Sequence, residues 1–270
     1  MGVLDGKVAI VTGAGRLRSI GRAAALALAE LGADVVVTGT GRDPEKYPPD
    51  EKAVGWRDIE STAQQVRELG RRCLPLVADV VNSSDVQQTV SATLQEFGRI
   101  DFLINNSAFA RGPDRVPLLE LSEELWQKVL QIKLTGSFLM SKAVLPIIIE
   151  QGQGGVVLNI SSIAGKRGMP KAVAYCTSNF GIQGFTQALA MEMAPHNIRV
   201  NAVCPGIIDT SRMDDLGRGG AWKSVIDQMV PLKRPGSDEE IGKFIAYLCT
   251  PDAAYITGQS INIDGGVVMW

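Results

Sequence analysis

At 270 residues, with 45 % apolar side chains, 21 % charged ones and a formal net charge of -2, the chain has the length for one large or two small domains and no charge excess suited to nucleic acid or an anionic membrane. Its single histidine, His196, argues against a His-based triad or a zinc site of the ordinary kind. Cys73, Cys176, Cys204 and Cys249 form no CxxC pair and no ligand cluster, so they read as reduced, partly buried thiols, with no metal expected. Asp5 precedes the first apolar run, so the start of the chain lacks a signal-peptide pattern. No uninterrupted apolar stretch of membrane-spanning length is evident, and the expected compartment is the cytoplasm.

Val8 to Val11 is a short strand, followed by a glycine-rich turn and an alanine-leucine helix from Ile20 to Leu31. Ala33 to Gly39 is a second, β-branched strand. Positions 40 to 56 form a polar insertion whose prolines and glycines argue against regular structure and whose length exceeds the usual βα loop. A helical pattern returns from Arg57 to Leu69, and Cys73 to Val80 holds a third strand with Asp79 at its end. Ser83 or Ser84 caps a helix running to Phe97, and Phe102 to Asn106 is the fourth strand. Ser122, followed by Glu123 and Glu124, opens a long helix that reaches Pro146. Val156 to Ser161, Ile198 to Val203 and Ser260 to Ile263 complete seven strands, with a helix around Tyr175, another near Trp222 to Met229, and a capping box of Ser237 and Glu240 before the last helix. Short apolar strands alternating with helices, without a linker, predict one doubly wound α/β domain over residues 1–270. Its seven-stranded parallel sheet would be covered on both faces, with a crevice at the carboxyl ends of the strands.

The turn Thr12-Gly13-Ala14-Gly15-Arg16-Leu17-Arg18-Ser19-Ile20-Gly21 has the small residues that let a diphosphate approach the backbone, and the helix behind it offers free N–H groups. At the tip of the second strand stand Thr38, Gly39, Thr40, Gly41 and Arg42, where an acid would otherwise accept the ribose hydroxyls of NAD. The missing acid, with Arg42 at the strand tip and Arg16 and Arg18 in the glycine-rich turn as further candidates, favours NADP(H) over NAD(H).

The stretch Val156 to Asn179 carries the chemistry: Ser161 and Ser162 follow the fifth strand, and Tyr175 and Asn179 share one face of the next helix by their spacing. A strand-end hydroxyl and a phenol can hold a carbonyl or alcohol oxygen between them, although a phenol needs a nearby cation to serve as acid and base. Together with Thr12-Gly13, Asp79-Val80, the NNSA run at Asn105 to Ala108, Pro205-Gly206 with Thr210, and the terminal Ile263 to Gly266, these residues resemble the short-chain dehydrogenase/reductase family across nearly the whole chain. The resemblance implies a Rossmann fold and hydride transfer between a nicotinamide and a substrate carbon, with Ser162 and Tyr175 catalytic. It implies a cofactor held by Gly13, Gly15, Arg16, Ser19, Ile20, Gly21, Thr40, Arg42, Asp79, Val80, Asn105, Ser107, Ala108, Tyr175, Pro205, Gly206, Ile208 and Thr210, and assembly as a homotetramer or homodimer.

Three departures stand out. The glycine-rich turn has the longer GxxxxxSxG spacing, similar to that of the enoyl reductase branch, but that branch's tyrosine spacing is absent, so ene-reduction is not carried over. NNSA replaces the family's NNAG. The motif YxxxK reads Tyr175 to Asn179, with Asn179 in the lysine's place, while Lys133 in Lys133-Leu134-Thr135-Gly136 occupies the position of the family's helix asparagine. A reciprocal exchange would leave one ammonium and one amide in one pocket, making Lys133 and Asn179 part of the catalytic set. The pocket is expected from Phe109 to Val116, Ile163 to Met169 and 207 to 229, for a small ketone or secondary alcohol. The alternatives are a cofactor-binding scaffold or sensor, and lyase or epimerase chemistry on the same fold.

Overall fold

The computed structural model describes residues 2–217 and 219–270. Seven strands, β1 (Val8–Val11), β2 (Asp34–Gly39), β3 (Cys73–Val77), β4 (Phe102–Asn105), β5 (Gly155–Ile160), β6 (Ile198–Pro205) and β7 (Ser260–Ile263), form one parallel sheet in the order β3-β2-β1-β4-β5-β6-β7. The helices are α1 (Ile20–Glu30), α2 (Pro49–Ala53), α3 (Ile59–Glu68), α4 (Ser83–Phe97), α5 (Glu123–Leu130), α6 (Gly136–Gln151), α7 (Val173–Met193), α8 (Gly220–Met229) and α9 (Asp238–Cys249).

Alternate residues of the apolar strands feed two cores, because successive side chains point to opposite faces of a sheet. Ala9, Val11, Val35 and Val37 pack with Ala24, Leu28 and Ile245 of α1 and α9. Ile10, Val36, Leu103 and Val157 pack with Val86, Val90, Met140, Val144 and Ile148 of α4 and α6. The result is a Rossmann-like three-layer sandwich, as expected. Strand order reverses between β1 and β4, which opens the crevice at their carboxyl ends.

Local details differ from the sequence expectation. The cap of α4 is Asn82, whose side chain accepts from Ser84 N, because it stands one residue nearer the turn than the serines expected there. The insertion is ordered by a 3-10 turn at Pro44–Lys46 and by α2, each begun by a proline whose missing N–H is no loss in a first turn. Asp79 lies two residues beyond β3, which stops at Val77. Pro146 sits inside α6, which runs on to Gln151 without the bond that an N–H at 146 would make. A π-turn at Gln131–Thr135 joins α5 to α6. By length and composition alone, the 29-residue stretch Glu123–Gln151 is long and apolar enough to cross a membrane, although charged residues, Lys133 and Lys142 among them, interrupt it. Met140, Val144, Leu145 and Ile148 bury it against the sheet as a core helix.

Candidate active site

The turn after β1 is tied to the end of β4. Thr12 Oγ1 accepts from Asn106 N at 3.0 Å and Ser107 N at 3.1 Å, and Asn106 Nδ2 donates to the carbonyls of Thr12 and Gly13. Asn106 was not among the expected cofactor residues, yet it fixes the two loops that flank the crevice. The second asparagine of the NNSA run was the signal for it. Gly13 has φ +70°, and a Cβ there would come within 3.1 Å of Ser107. A Cβ on Gly21 would come within 2.6 Å of the Gly13 carbonyl, so α1 starts tight against the turn. Ser19 caps α1 by accepting from Arg22 N, while the N–H groups of Ile20 and Gly21 find no acceptor among the described residues. Free first-turn donors behind a glycine cradle suit a diphosphate.

The insertion closes on this turn. Trp56 Nε1 and Arg42 Nη2 donate to the Gly15 carbonyl at 2.7 and 2.9 Å. Arg42 also pairs with Glu51 at 2.8 Å and with Asp58, and stacks over Tyr47. Glu51 is fully buried and accepts from Leu17 N. Asp58 holds φ +54°, a conformation that side chains rarely adopt, and its Oδ1 would lie 1.7 Å from a Cβ on Gly15. Glu51, Trp56 and Asp58 were not foreseen, because nothing local in a proline-rich insertion shows that it folds back onto a turn 36 to 43 residues earlier. The expected role of Arg42 toward a 2′-phosphate is therefore met by two carboxylates already bound to it. The Arg16 carbonyl accepts from Ser19 Oγ, while its guanidinium has no hydrogen bond or ion pair among the described residues. Its burial and the neighbouring Arg42 lower its pKa. Thr40, directly after the end of β2, is exposed.

Asp79 accepts from Val81 N and receives no ion pair, and Val80 is buried where a Cβ on Gly136 would lie 2.5 Å from its side chain. Asn105 turns into the sheet, donating to Asn159 and Ser141, and its Oδ1 has no partner among the described residues. Ala108 is exposed at the crevice. Beyond β6, Gly206 N donates to Ile263 O, Ile208 is buried in a bridge to Gly236, and Thr210 N bonds the Ile208 carbonyl.

Ser162 follows β5 and caps the single 3-10 turn Ile163–Gly165, its Oγ accepting from Ala164 N at 3.1 Å. That turn packs on α7, and Ala164 shares one apolar cluster with Ala172, Tyr175 and Cys176. The Ser162 hydroxyl proton and the Tyr175 hydroxyl have no acceptor among the described residues. The exchanged pair lies on the same strand tip without meeting in a hydrogen bond. Lys133, in the π-turn and 4 % exposed, donates from Nζ to Ile160 O at 2.7 Å, two residues before Ser162. Burial, and secondarily the charge of Arg212, bring the Lys133 pKa down to about 7. Asn179 receives the Ser161 hydroxyl on its carbonyl at 3.1 Å and donates Nδ2 to Tyr175 O at 2.8 Å, leaving Oδ1 buried and unpartnered. Such an orphaned acceptor needs a donor from outside the protein, a sugar hydroxyl or a water. A nicotinamide dinucleotide fits these residues: the cradle at Gly13, the free donors of α1 and the orphaned Asn179 oxygen lie along the carboxyl ends of β1, β4 and β5.

A family profile described as enoyl-(acyl carrier protein) reductase matches residues 13–268. The chain is 38 % identical over 271 residues to a 3-oxoacyl-[acyl-carrier-protein] reductase of Synechocystis sp., covering 100 % of both chains. It is 38 % identical over 268 residues to the short chain dehydrogenase/reductase astE of Aspergillus oryzae, covering 98 % of this chain and 95 % of the relative. The crystal structure of carveol dehydrogenase from Mycobacterium avium in complex with NAD superposes with a TM-score of 0.87 at 29 % identity, over 99 % of each chain. Fold, strand-tip geometry and relatives agree: the chain belongs to the short-chain dehydrogenase/reductase family and is an NAD(P)-dependent oxidoreductase.

Proposed function

We propose that the protein interconverts a small ketone and its secondary alcohol, with Ser162, Tyr175, Lys133 and Asn179 as the catalytic set. The observation that carries this reading is that Ser162 caps the turn whose Ala164 packs in one apolar cluster with Tyr175, while Lys133 Nζ reaches the Ile160 carbonyl on the same strand tip. The nicotinamide, when bound, supplies or accepts the hydride at the reacting carbon. Ser162 Oγ–H holds the substrate oxygen, and Tyr175 gives it a proton in reduction or takes one in oxidation. Lys133 stands in for the motif lysine. With its pKa near neutrality it exchanges a proton at working pH, where an exposed lysine would stay charged. Asn179, at the position of the motif lysine, uses Oδ1 to accept from a ribose hydroxyl or a water.

The cofactor seat is proposed at Gly13, Gly15, Arg16, Ser19, Ile20, Gly21, Thr40, Asp79, Val80, Asn105, Ser107, Ala108, Tyr175, Pro205, Gly206, Ile208 and Thr210. NADP(H) preference rests on Arg16 and on the absence of an acid at the β2 tip. NAD(H) is the second reading, favoured by the capture of Arg42 by Glu51 and Asp58. Titration with NADPH and NADH separates them: tighter NADPH, weakened selectively by Arg16→Gln, supports the first, and tighter NADH the second. A cytoplasmic homotetramer or homodimer is proposed through the helices that carry Lys133 and Tyr175, whose outer residues Phe138 and Phe180 are 45 % and 47 % exposed on the single chain. Turnover of a ketone and alcohol panel, followed at the nicotinamide absorbance in wild type and Tyr175→Phe, tests the main reading. Cofactor binding with no turnover of any panel member would favour a scaffold or sensor, and turnover without net change of the nicotinamide would favour a lyase or epimerase.

A further inference from the structure

We propose that the substrate carries a carboxylate one or two methylenes from its reacting carbonyl or carbinol carbon, and that Arg115 and Arg212 hold it beside Tyr175. This rests on the oxidoreductase reading and narrows its substrate class to oxo acids and hydroxy acids. The two guanidinium groups come from different loops, one after β4 and one after β6, and converge on the same ring: Arg115 lies 4.0 Å from the Tyr175 centroid and Arg212 5.2 Å. Around them sits an excess of positive charge. Arg111, Arg115, Arg212 and Lys133 gather there, while the carboxylates paired within the cluster are Asp114, on Arg115, and Asp215, on Arg111. Arg212 has no carboxylate partner among the described residues. Its one hydrogen bond there goes to the Phe109 carbonyl, which also ties the two loops together.

The like charges work against one another. Burial lowers the pKa of Arg115 foremost, Asp114 and Tyr175 offset part of this, and Arg212 and Arg111 add to the lowering, while Arg212 also adds to the lowering at Lys133. An anion placed between Arg115 and Arg212 removes that repulsion, and a planar carboxylate matches the paired N–H groups of guanidinium forks better than a point contact would. The reacting carbon, one or two methylenes away, would then lie against Tyr175, with only one face presented for hydride transfer. A neutral ketone of the same size gains none of this and leaves two cations crowded over the ring.

The test uses two pairs of ketones that differ only in charge: acetoacetate and levulinate against their methyl esters, with the nicotinamide that binds better. The expected result is a kcat/KM for each acid about tenfold or more above that of its ester. In Arg212→Gln that advantage should collapse through KM of the acid, while the cofactor dissociation constant, read by tryptophan quenching, changes less than about twofold. Equal rates for acids and esters in wild type would overturn the proposal. So would an Arg212→Gln protein that binds cofactor far more weakly at an unchanged acid-to-ester ratio, since Arg212 would then serve a cofactor phosphate. A second readout is independent of turnover: the thermal midpoint of the cofactor complex with acetoacetate or with its ester. A rise with acetoacetate alone, absent in Arg212→Gln, upholds the anion site even if neither ketone is reduced, in which case the oxidoreductase reading is what fails. Turnover of both series with no acid-specific rise in wild type contradicts the anion site and leaves the oxidoreductase reading standing.

Discussion

Lys133→Met tests the electrostatics of the strand tip without reference to any substrate. The lysine is 4 % exposed, and burial holds its pKa at about 7 against the 10.5 of a free side chain. The folded protein therefore releases the proton near pH 7, while the unfolded chain keeps it until above pH 10. Between those values the unfolded state binds more protons, so this group makes stability rise with pH. Below pH 7 both states carry the charge and the penalty for confining it is complete. Integrated from pH 6 to pH 9, the proton difference amounts to about two pKa units, or roughly 2.7 kcal/mol. Methionine has similar length, no charge and no titration. Urea unfolding at fixed protein concentration should show wild type gaining about 2–3 kcal/mol more than Lys133→Met between these pH values, all other titrations being common to both proteins. Parallel pH profiles would refute the buried, near-neutral lysine. An excess gain by the mutant would reverse the sign of the argument.

Gly15→Ala should break the clamp of the insertion on the cofactor turn, because the new Cβ would meet Asp58 Oδ1; the expected cost is about 1–3 kcal/mol, with weaker cofactor binding, measured by denaturation and fluorescence titration. Trp56→Phe removes the buried bond to the Gly15 carbonyl and should cost about 1–3 kcal/mol, with unchanged stability contradicting its role. Ser237→Ala removes one half of the capping box that opens α9 and should lower stability by about 1 kcal/mol without changing cofactor affinity.

The sheet was legible in the sequence because β1, β2, β5 and β6 are short runs rich in β-branched residues and buried on both faces, and the capping box of α9 because Ser237 and Glu240 stand at the right spacing. Ser162 and Tyr175 were legible as a strand-end hydroxyl and a helix phenol, and the comparisons place the chain in the family that those residues suggested. Less legible were contacts between segments distant in sequence. Nothing local to Glu51, Trp56 or Asp58 shows that they capture Arg42 and Gly15, and the weight that sequence gave to Arg42 came from reading it as free. The π-turn that carries Lys133 is equally hidden, since a one-residue change in helical winding leaves no compositional trace, yet it is this turn that holds the lysine whose Nζ reaches the Ile160 carbonyl. Arg115 was within the expected pocket loop but was not singled out, because its stacking on Tyr175 depends on how two separate loops fold toward each other.

The most direct test of the central claim is the pH dependence of kcat for wild type and Lys133→Met with the better nicotinamide and a ketone that wild type reduces. The account predicts that wild type turns over with a limb near pH 7 and that Lys133→Met still binds the cofactor but loses at least about tenfold in kcat together with that limb. A mutant with unchanged kcat and an unchanged profile would contradict it, and Lys133 would then be a buried structural lysine with no part in the chemistry.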